Sequence, residues 1–311
     1  MKADLHVHSH HSGFAPHLPF LRARDCYSSP FDVYRIAKAR GMDLVCLTDH
    51  DTIDGCLEFL DRYPDAPDFI IAEEIECRVP DVPALRIHLG AVGMTEEIHR
   101  EVQRLRTNVV DAATYLRQRD VFFAVNHLFL LFGDDSAVER YMRTVLAIAP
   151  ALEIHNGAAL ATHNAFVSDL ATECRMSGRH MAITGGSDAH TLQWVGTTYT
   201  ETPSHTREEF LEHLRAGEAT TAGRHGGSWR AMSEIYGVIL NYWRALATSR
   251  PADLQGGPRL TASAFSIASL PFQFIPAGVA IGMKLREARR ISRYRRQWNG
   301  RQALGTLRSK P

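Results

Sequence analysis

Side chains that can bind metal ions recur along the first 190 positions of the chain, and most of them end a short apolar run. They are His6, His8, His50, Glu74, His88, His127, Asp188 and His190. Imidazoles and carboxylates without a thiolate favour Zn²⁺, Mn²⁺ or Fe²⁺ over a structural cysteine site or a magnesium cage. Eight ligands exceed what one ion needs. We therefore expect a cluster of two or three divalent ions.

The apolar runs before these residues predict the strands of a mostly parallel sheet. Seven runs alternate with helical periodicity, as in βα units, and they cover 3–7, 44–48, 69–72, 85–92, 121–125, 151–154 and 181–184. The carboxyl ends of parallel strands meet at one face of a barrel, where active sites are built. The pattern favours a closed, TIM-like (β/α) barrel over an open sheet.

Two helices are indicated between these strands. Ser29 and Pro30 are suited to the N-cap and the first position of a helix that Gly41 closes. A second, longer helix is expected over 95–119, because apolar residues recur there at steps of three and four.

His6 and His8 are two residues apart, so on a strand both imidazoles point to one side and can bind one ion. This pair alone is explained equally well by two ordinary strand histidines. The metal hypothesis gains weight from repetition, because unpaired imidazoles and carboxylates are costly to bury and coordination removes that cost.

Six segments in a fixed order carry a family resemblance. They read DLHVHS, LTDHDT, EEIE, IHLG, NHL and GGSDAH, over roughly residues 1 to 225. This set resembles the motifs of the PHP (polymerase and histidinol phosphatase) superfamily. The resemblance implies a distorted seven-stranded (β/α) barrel in which hydroxide, activated by two or three divalent ions, hydrolyses a phosphate ester.

The resemblance also implies an assignment of ligands to ions. The first ion would be bound by His6, His8, Glu74 and Asp188, and the second by Glu74, His88 and His127, with Glu74 bridging. The third would take His50, His190 and a ligand from the loop after His8. Gly13 stands where many relatives carry that ligand, so Asp25 or His17 is the substitute, with Asp25 slightly preferred. Glu73 stays open as an alternative to Glu74.

Other polar residues near the motifs are candidates for further roles. Asp49 and His155 are candidate catalytic residues, although Asp49, like Asp4, is better placed in sequence to orient an imidazole. The candidates for binding the substrate phosphate are Arg22, Arg24, Asn126 and Asn156, for which surface charge or local hydrogen bonding is an equal explanation. The remaining histidines, expected at the surface, include His99, His163 and His225.

The composition changes after the motif region. We expect a metal-dependent domain over 1–228 and an extension over 229–311, in which 260–283 is free of charge and 284–311 holds ten Lys or Arg and one acidic residue. The apolar segment is long enough for a bilayer, but its prolines and serines favour an interfacial or re-entrant anchor. Equally open is packing of the segment on the barrel or on a second subunit, so an oligomer is possible.

Cysteine usage and charge bear on the cellular compartment and on the kind of partner. Five cysteines without a CxxC, and an N-terminus without signal-peptide features, favour the cytoplasm, with peripheral contact at the inner membrane face through 260–296. Lys+Arg and Asp+Glu are each 35, which argues against a nucleic-acid clamp as the main function. The expected substrate is a small phosphorylated molecule, such as a nucleotide or a short oligonucleotide.

The preferred function is thus a divalent-metal phosphomonoesterase or phosphodiesterase. One alternative is a hydrolase of a non-phosphate ester or amide, whose sites often add a modified lysine. No lysine lies between Lys38 and Lys284, which counts against it. The other alternative is an inactive, membrane-associated scaffold, against which the nearly complete ligand set speaks.

Overall fold

The structure is a computed structural model that describes residues 1–14, 23–80, 82–129, 138–248 and 257–298. The strands are β1 (Lys2–Asp4), β2 (Leu44–Leu47), β3 (Phe69–Val79), β4 (Val82–Val92), β5 (Phe122–Val125), β6 (Ala151–Asn156), β7 (Ala182–Gly186), β8 (Thr198–Glu201) and β9 (Thr220–Gly223). The helices are α1 (Pro30–Ala39), α2 (Asp54–Arg62), α3 (Glu96–Leu105), α4 (Val109–Gln118), α5 (Val138–Ile148), α6 (Ala161–Met176), α7 (Arg207–Ala216), α8 (Ser228–Thr248), α9 (Gly257–Ala268) and α10 (Phe274–Gln297).

The strands form one mixed sheet in the order β7-β6-β5-β4-β3-β2-β1-β8-β9. Strands β1 to β3 run parallel, as do β5 to β7, whereas β4 is antiparallel to both of its neighbours. The sheet curls until β7 meets β8, where the Thr200 hydroxyl donates to the Gly185 carbonyl and accepts from the Gly185 amide, each at 2.8 Å. The result is a nearly closed, barrel-shaped α/β fold.

The strand count differs from the expected seven. Each of the seven apolar runs forms a strand, but β8 and β9 add to them on the far side of β1. These two strands read TYTE and TTAG and contain few apolar residues, so an apolar criterion misses them. The sheet is mixed because β3 and β4 are joined by a short hairpin and not by a helical crossover.

Helix α1 begins at Pro30 as predicted, and the Ser29 side chain caps it by accepting from the Asp32 amide. The single helix expected over 95–119 is wrong, because the structure divides it into α3 and α4. Asn108 accounts for the break, since its side chain accepts from the Val110 amide and starts a new helix.

The two ends of the barrel differ in polarity. Small and medium apolar side chains such as Leu44, Cys46 and Ala124 fill the interior at the amino end, where Phe210 and Leu214 of α7 close it. All five cysteines are buried and unpaired. The carboxyl end of the barrel carries polar residues instead, and the predicted metal ligands lie there.

The second half of α10 packs on the barrel domain. Glu287 accepts from the Leu160 amide at 2.8 Å and lies 3.1 Å from His163 Nδ1, while Lys284 pairs with Glu287 and donates to the Ala158 carbonyl. Tyr294 belongs to the largest apolar cluster. His163 is therefore buried, contrary to the expected surface position. The division of the chain at 228/229 stays a prediction.

No single helix in the described ranges is long and apolar enough to cross a bilayer. The segments Ala262–Ala268 and Leu270–Arg296 meet that criterion together, across a bend of 55°. Pro271 follows the break directly, in a short 3₁₀ turn (Leu270–Phe272), whereas Pro276 is tolerated in the first turn of α10.

We predict that Glu287→Gln weakens the folded state at neutral pH. Burial alone would raise the pKa of Glu287, but hydrogen bonds from His163 and Lys284 and the charge of Lys284 lower it to about 2. Its contribution is therefore complete above the unfolded value near 4.5, is lost as pH falls toward 2, and is on the order of 3 kcal/mol. Urea unfolding followed by circular dichroism measures it.

Glu208→Gln is the matched control, because Glu208 is exposed on α7. The difference in unfolding free energy between the two variants should shrink in acid. A difference that is absent at neutral pH, or that is equally large at about pH 3, would contradict this role of Glu287.

Candidate metal centre

The Glu74 carboxylate is the centre of the candidate site. Its side chain is fully buried on β3, and five imidazole nitrogens lie within 3.7 Å of its two oxygens. Oε1 is 2.9 Å from His127 Nε2, 3.1 Å from His88 Nδ1 and 3.2 Å from His6 Nε2. Oε2 is 3.0 Å from His50 Nδ1 and 3.7 Å from His8 Nε2. Glu74 thus contacts five imidazoles from four segments of the chain.

Glu73 points to the other side of β3. Its carboxylate is buried against α3, where it lies 2.9 Å from His99 Nδ1 and accepts from Gln103 at 2.5 Å. The structure therefore brings Glu74, and not Glu73, to the histidine cluster. His99, which was expected at the surface, therefore contacts a buried carboxylate.

Asp188 lies on the side of the cluster nearest β7. Its Oδ1 is 3.5 Å from His8 Nε2, 3.6 Å from His6 Nε2 and 3.7 Å from His190 Nδ1. The chain reaches this position through Gly186, where a Cβ atom would lie only 2.3 Å from the Cβ of His6. Asp188 itself has a positive φ of 52°. Glycine is needed so that β7 can pass closely beside His6.

Asp25 occupies the position of the loop ligand. Its Oδ2 is 3.0 Å from His190 Nε2 and 3.4 Å from His50 Nε2. Gly13, with a φ of 82°, anchors this residue through its carbonyl, which accepts from the Asp25 amide. The other candidate, His17, lies outside the described residues.

Burial and neighbouring charges shift the pKa values of the carboxylates and imidazoles in the centre. Burial alone would raise the pKa of Glu74, but His6, His88 and His127 hold it well below its ordinary value. Burial, with the like charges of His190 and His50, lowers the pKa of His8 to about 3. His8 is therefore neutral at physiological pH, which is the form of imidazole that binds metals.

Several buried polar atoms in the centre lack a hydrogen-bond partner among the described residues. They are His6 Nε2, His8 Nε2, Glu74 Oε2 and both ring nitrogens of His88. Such atoms are costly to bury, and coordination to a cation would satisfy them. The donor set of imidazoles and carboxylates without thiolates suits a divalent ion.

The ligand atoms fall into four compact and overlapping groups, each within 4.8 Å. The groups are His6/His8/Glu74, His6/His127/Asp188, His50/Glu74/His88 and His8/His50/His190. His127 thus groups with His6 and Asp188, whereas the resemblance assigned it with His88. The residues present fit divalent ions, and the sharing of ligands is typical of a cluster.

Glu153 contacts two of the predicted ligands, although no motif in the sequence indicated it. Its carboxylate lies 2.9 Å from His6 Nδ1, accepts from the His127 amide at 2.8 Å and accepts from Asn156 at 3.0 Å. It therefore fixes the ring of one predicted ligand and the backbone of another. The available signal was an acidic residue inside the apolar run LEIHNG, on the strand that becomes β6.

Asp49 and Asp4 lie beside the centre without facing it. Asp49 accepts from the Ser9 amide and hydroxyl and from Ser12, whose hydroxyl contacts His8 Nδ1 at 2.9 Å. Asp4 accepts from the amides of Ser187 and Gly196, each at 2.7 Å. Asp49 reaches the His8 ring only through Ser12, and Asp4 contacts backbone amides and, among the described residues, no imidazole, so the expected orienting role stays a prediction for both.

Two of the candidate phosphate-binding residues donate hydrogen bonds to carboxylates of the candidate centre. Asn126 donates to Glu74 at 3.0 Å, and Asn156 donates to Asp188 at 3.1 Å. Arg24 donates to the His10 carbonyl at 2.5 Å, within its own loop. Arg22 lies outside the described residues.

His155 is not brought to the carboxylate cluster. Its ring stacks on His225 at a centroid distance of 4.4 Å, and burial, with the charge of His225, lowers its pKa. A catalytic role of His155 stays a prediction.

Helix α8 supplies one wall of the centre. Arg230 is buried and donates to the carbonyls of Ser187 and Asp188 at 2.5 and 3.2 Å. Glu234, one turn later, accepts from the His190 amide at 2.8 Å. No motif or spacing in the sequence indicates these two residues. The extension after residue 228 therefore helps to position the predicted ligands.

A comparison with protein families identifies the last ligand segment. Residues 176–219, which include Asp188, His190 and strands β7 and β8, match the PHP-associated family. This match supports the resemblance to the PHP-domain superfamily that the ordered motifs of the first 190 residues carry.

Individual proteins resemble this chain only over a short segment or at low sequence identity. An uncharacterized protein of Methanocaldococcus jannaschii is 40% identical over 58 residues, which are 19% of this chain and 33% of that protein. An amidohydrolase structure from Chromobacterium violaceum is 16% identical with a TM-score of 0.48, covering 68% of this chain and 96% of the other. A candidate metal-dependent phosphoesterase from Bifidobacterium adolescentis is 13% identical with a TM-score of 0.43, covering 69% and 96%.

Substitution of Glu153 by Gln should weaken metal binding by about tenfold or more, because it removes the charge that orients His6 and His127. Titration of the metal-free protein with Zn²⁺, in competition with a chromogenic chelator, measures this affinity. Glu212→Gln, on the exposed face of α7, is the control. Equal affinities of the two variants would show that Glu153 has no positioning role.

Proposed function

We propose that this protein is a PHP-type, metal-dependent hydrolase of phosphate esters, acting as a phosphomonoesterase or phosphodiesterase with two or three divalent ions. The observation that carries the proposal is the Glu74 carboxylate, which is fully buried and shared among five imidazoles. One carboxylate at the junction of several ligand groups is the arrangement that a bridged cluster requires.

The residues of the chain have distinct parts in this proposal. Glu74 would bridge the ions, and His6, His8, His88, His127 and Asp188 would complete the first two sites. His50, His190 and Asp25 form the group suited to a third ion, at the more exposed edge of the cluster. Divalent ions bound there would generate a nucleophile from water at neutral pH and stabilise negative charge on the phosphoryl oxygens.

The protein supplies a rigid and preoriented ligand set. Glu153 and Ser12 contact the outer nitrogens of His6 and His8, so the inner Nε2 atoms of both rings face Glu74 and Asp188. Arg230 and Glu234 brace the segment that carries Asp188 and His190. Catalysis by such a site depends on ligands that need no rearrangement.

The proposed substrate is a small phosphorylated molecule such as a nucleotide or a short oligonucleotide. Zn²⁺, Mn²⁺ and Fe²⁺ all suit the donor set. The main rival reaction is hydrolysis of another ester or an amide. Its bridging lysine has no counterpart here, since positions 39–283 contain none.

A hydrolysis screen tests the proposal. The purified protein, supplied in turn with Mn²⁺, Zn²⁺ and Fe²⁺, should cleave phosphate mono- or diesters, and Asp188→Asn should reduce the rate by about 100-fold or more. Asp120→Asn is a close control, because Asp120 has a similar φ of 54° but is exposed outside the site. It should retain full activity.

Other results would redirect the assignment. Cleavage of carboxylic esters or amides, with no release of phosphate, would replace the phosphoesterase proposal with the rival hydrolase. Metal binding without turnover of any substrate class would contradict the enzymatic proposal and favour an inactive scaffold.

A further inference from the structure

The helices after residue 257 expose an unusual amount of apolar surface. Eleven large apolar side chains between Leu260 and Leu285 are at least 40% exposed, out of seventeen in the described part of the whole chain. Leu260, Ile267 and Phe274 reach 76%, 69% and 70%. We call the exposed side of α9, the 3₁₀ turn and the first half of α10 the apolar face. A contiguous patch of this kind marks a binding surface.

Along α10, the apolar face is followed by a line of arginine side chains, which we call the arginine row. The side of α10 that packs on the body carries the buried residues Ala280, Glu287, Ile291 and Tyr294, at steps of seven, four and three. The opposite side carries exposed side chains at the same steps. It begins with Ile275 and Val279 and continues with Arg286, Arg289, Arg293 and Arg296.

The charge of this row is not balanced within the helix. The only acidic residue of α10, Glu287, faces the body and pairs with Lys284. Arg286, Arg289 and Arg296 therefore add exposed positive charge after the apolar half of the same helix. Their charge complements an anionic surface, and the apolar half before them suits a hydrocarbon layer.

We propose that α9 and α10 dock the protein on the surface of an anionic lipid bilayer. The apolar face enters the boundary between headgroups and acyl chains, and the arginine row lies against the headgroup phosphates. The 55° bend between the two helices, together with Pro271, fits a segment that enters one leaflet and returns. The barrel stays in water, since α10 is fixed to it through Glu287, Ile291 and Tyr294.

A second copy of the chain fits this surface less well. A twofold pair of α10 helices would place each arginine row against the partner's arginines or against its apolar half. Neither arrangement pairs the charges. An anionic bilayer has an apolar layer that suits the first half of α10 and a negatively charged headgroup layer that suits its arginines.

Flotation of the full-length protein with vesicles tests the proposal. The protein should float with phosphatidylcholine vesicles that contain phosphatidylglycerol and should bind about tenfold less to pure phosphatidylcholine. Added salt should weaken the binding, because it screens the arginines.

Paired variants assign the binding to the two parts of α10. Phe274→Asp with Ile275→Asp should abolish flotation, and Arg286→Glu with Arg289→Glu should remove the preference for anionic vesicles. Met176→Asp and Arg104→Glu are the controls, because these side chains are 84% and 81% exposed at other surfaces. Circular dichroism and metal content, unchanged in all four proteins, exclude misfolding.

Three outcomes would overturn the membrane assignment. The first is that the wild-type protein does not float with the anionic vesicles. The second is that neither pair of α10 substitutions changes flotation. A dimer seen by light scattering, lost in the Phe274/Ile275 variant while vesicles are not bound, would assign the apolar face to self-association.

Discussion

Burial of the Glu74 carboxylate among five imidazoles is the interaction on which the rest of the structure depends. A charged group at full burial is tolerated only with opposite charges and hydrogen bonds around it. The histidines lower the pKa of Glu74, and Glu74 in turn, with Asp188 and Glu153, outweighs the effect of burial on His6 and raises its pKa. Several inner nitrogens nevertheless keep no hydrogen-bond partner among the described residues. The carboxylates and imidazoles therefore stabilise one another, and divalent ions would supply the partners that these nitrogens lack.

The fold is shaped by the need to bring these ligands together. The β3–β4 hairpin turns back across the mouth of the barrel, so His88 reaches Glu74 from the middle of an antiparallel strand and not from a strand end. Gly186 lets β7 lie against His6, and the positive φ of Asp188 turns its carboxylate to the same histidines. Helix α8 then closes one side with Arg230. The C-terminal extension thus contributes both to the centre and to the surface proposed for the bilayer.

The sequence was informative wherever a local pattern carries the structure. Apolar runs located seven strands, and the ordered motifs located the residues that converge on Glu74. The slight preference for Asp25 over His17 as a ligand stays a prediction, and the Asp25 carboxylate lies between His50 and His190. Local patterns could not reveal the direction of β4, the weakly apolar strands β8 and β9, or partners set by tertiary contacts. Glu153, Arg230 and the Glu287–His163 pair belong to that last class, because each contacts a segment distant in sequence.

The most direct test of the central claim is the metal content of the purified protein and of two adjacent variants, Glu74→Gln and Glu73→Gln, measured by elemental analysis. Both side chains are fully buried on β3, but Glu74 faces the five histidines of the candidate centre, whereas Glu73 faces His99 on α3. We expect two or three equivalents of a divalent transition metal in the native protein and in Glu73→Gln, and a loss of most of this metal in Glu74→Gln. Equal metal content in the two variants, or a native protein without metal, would contradict it.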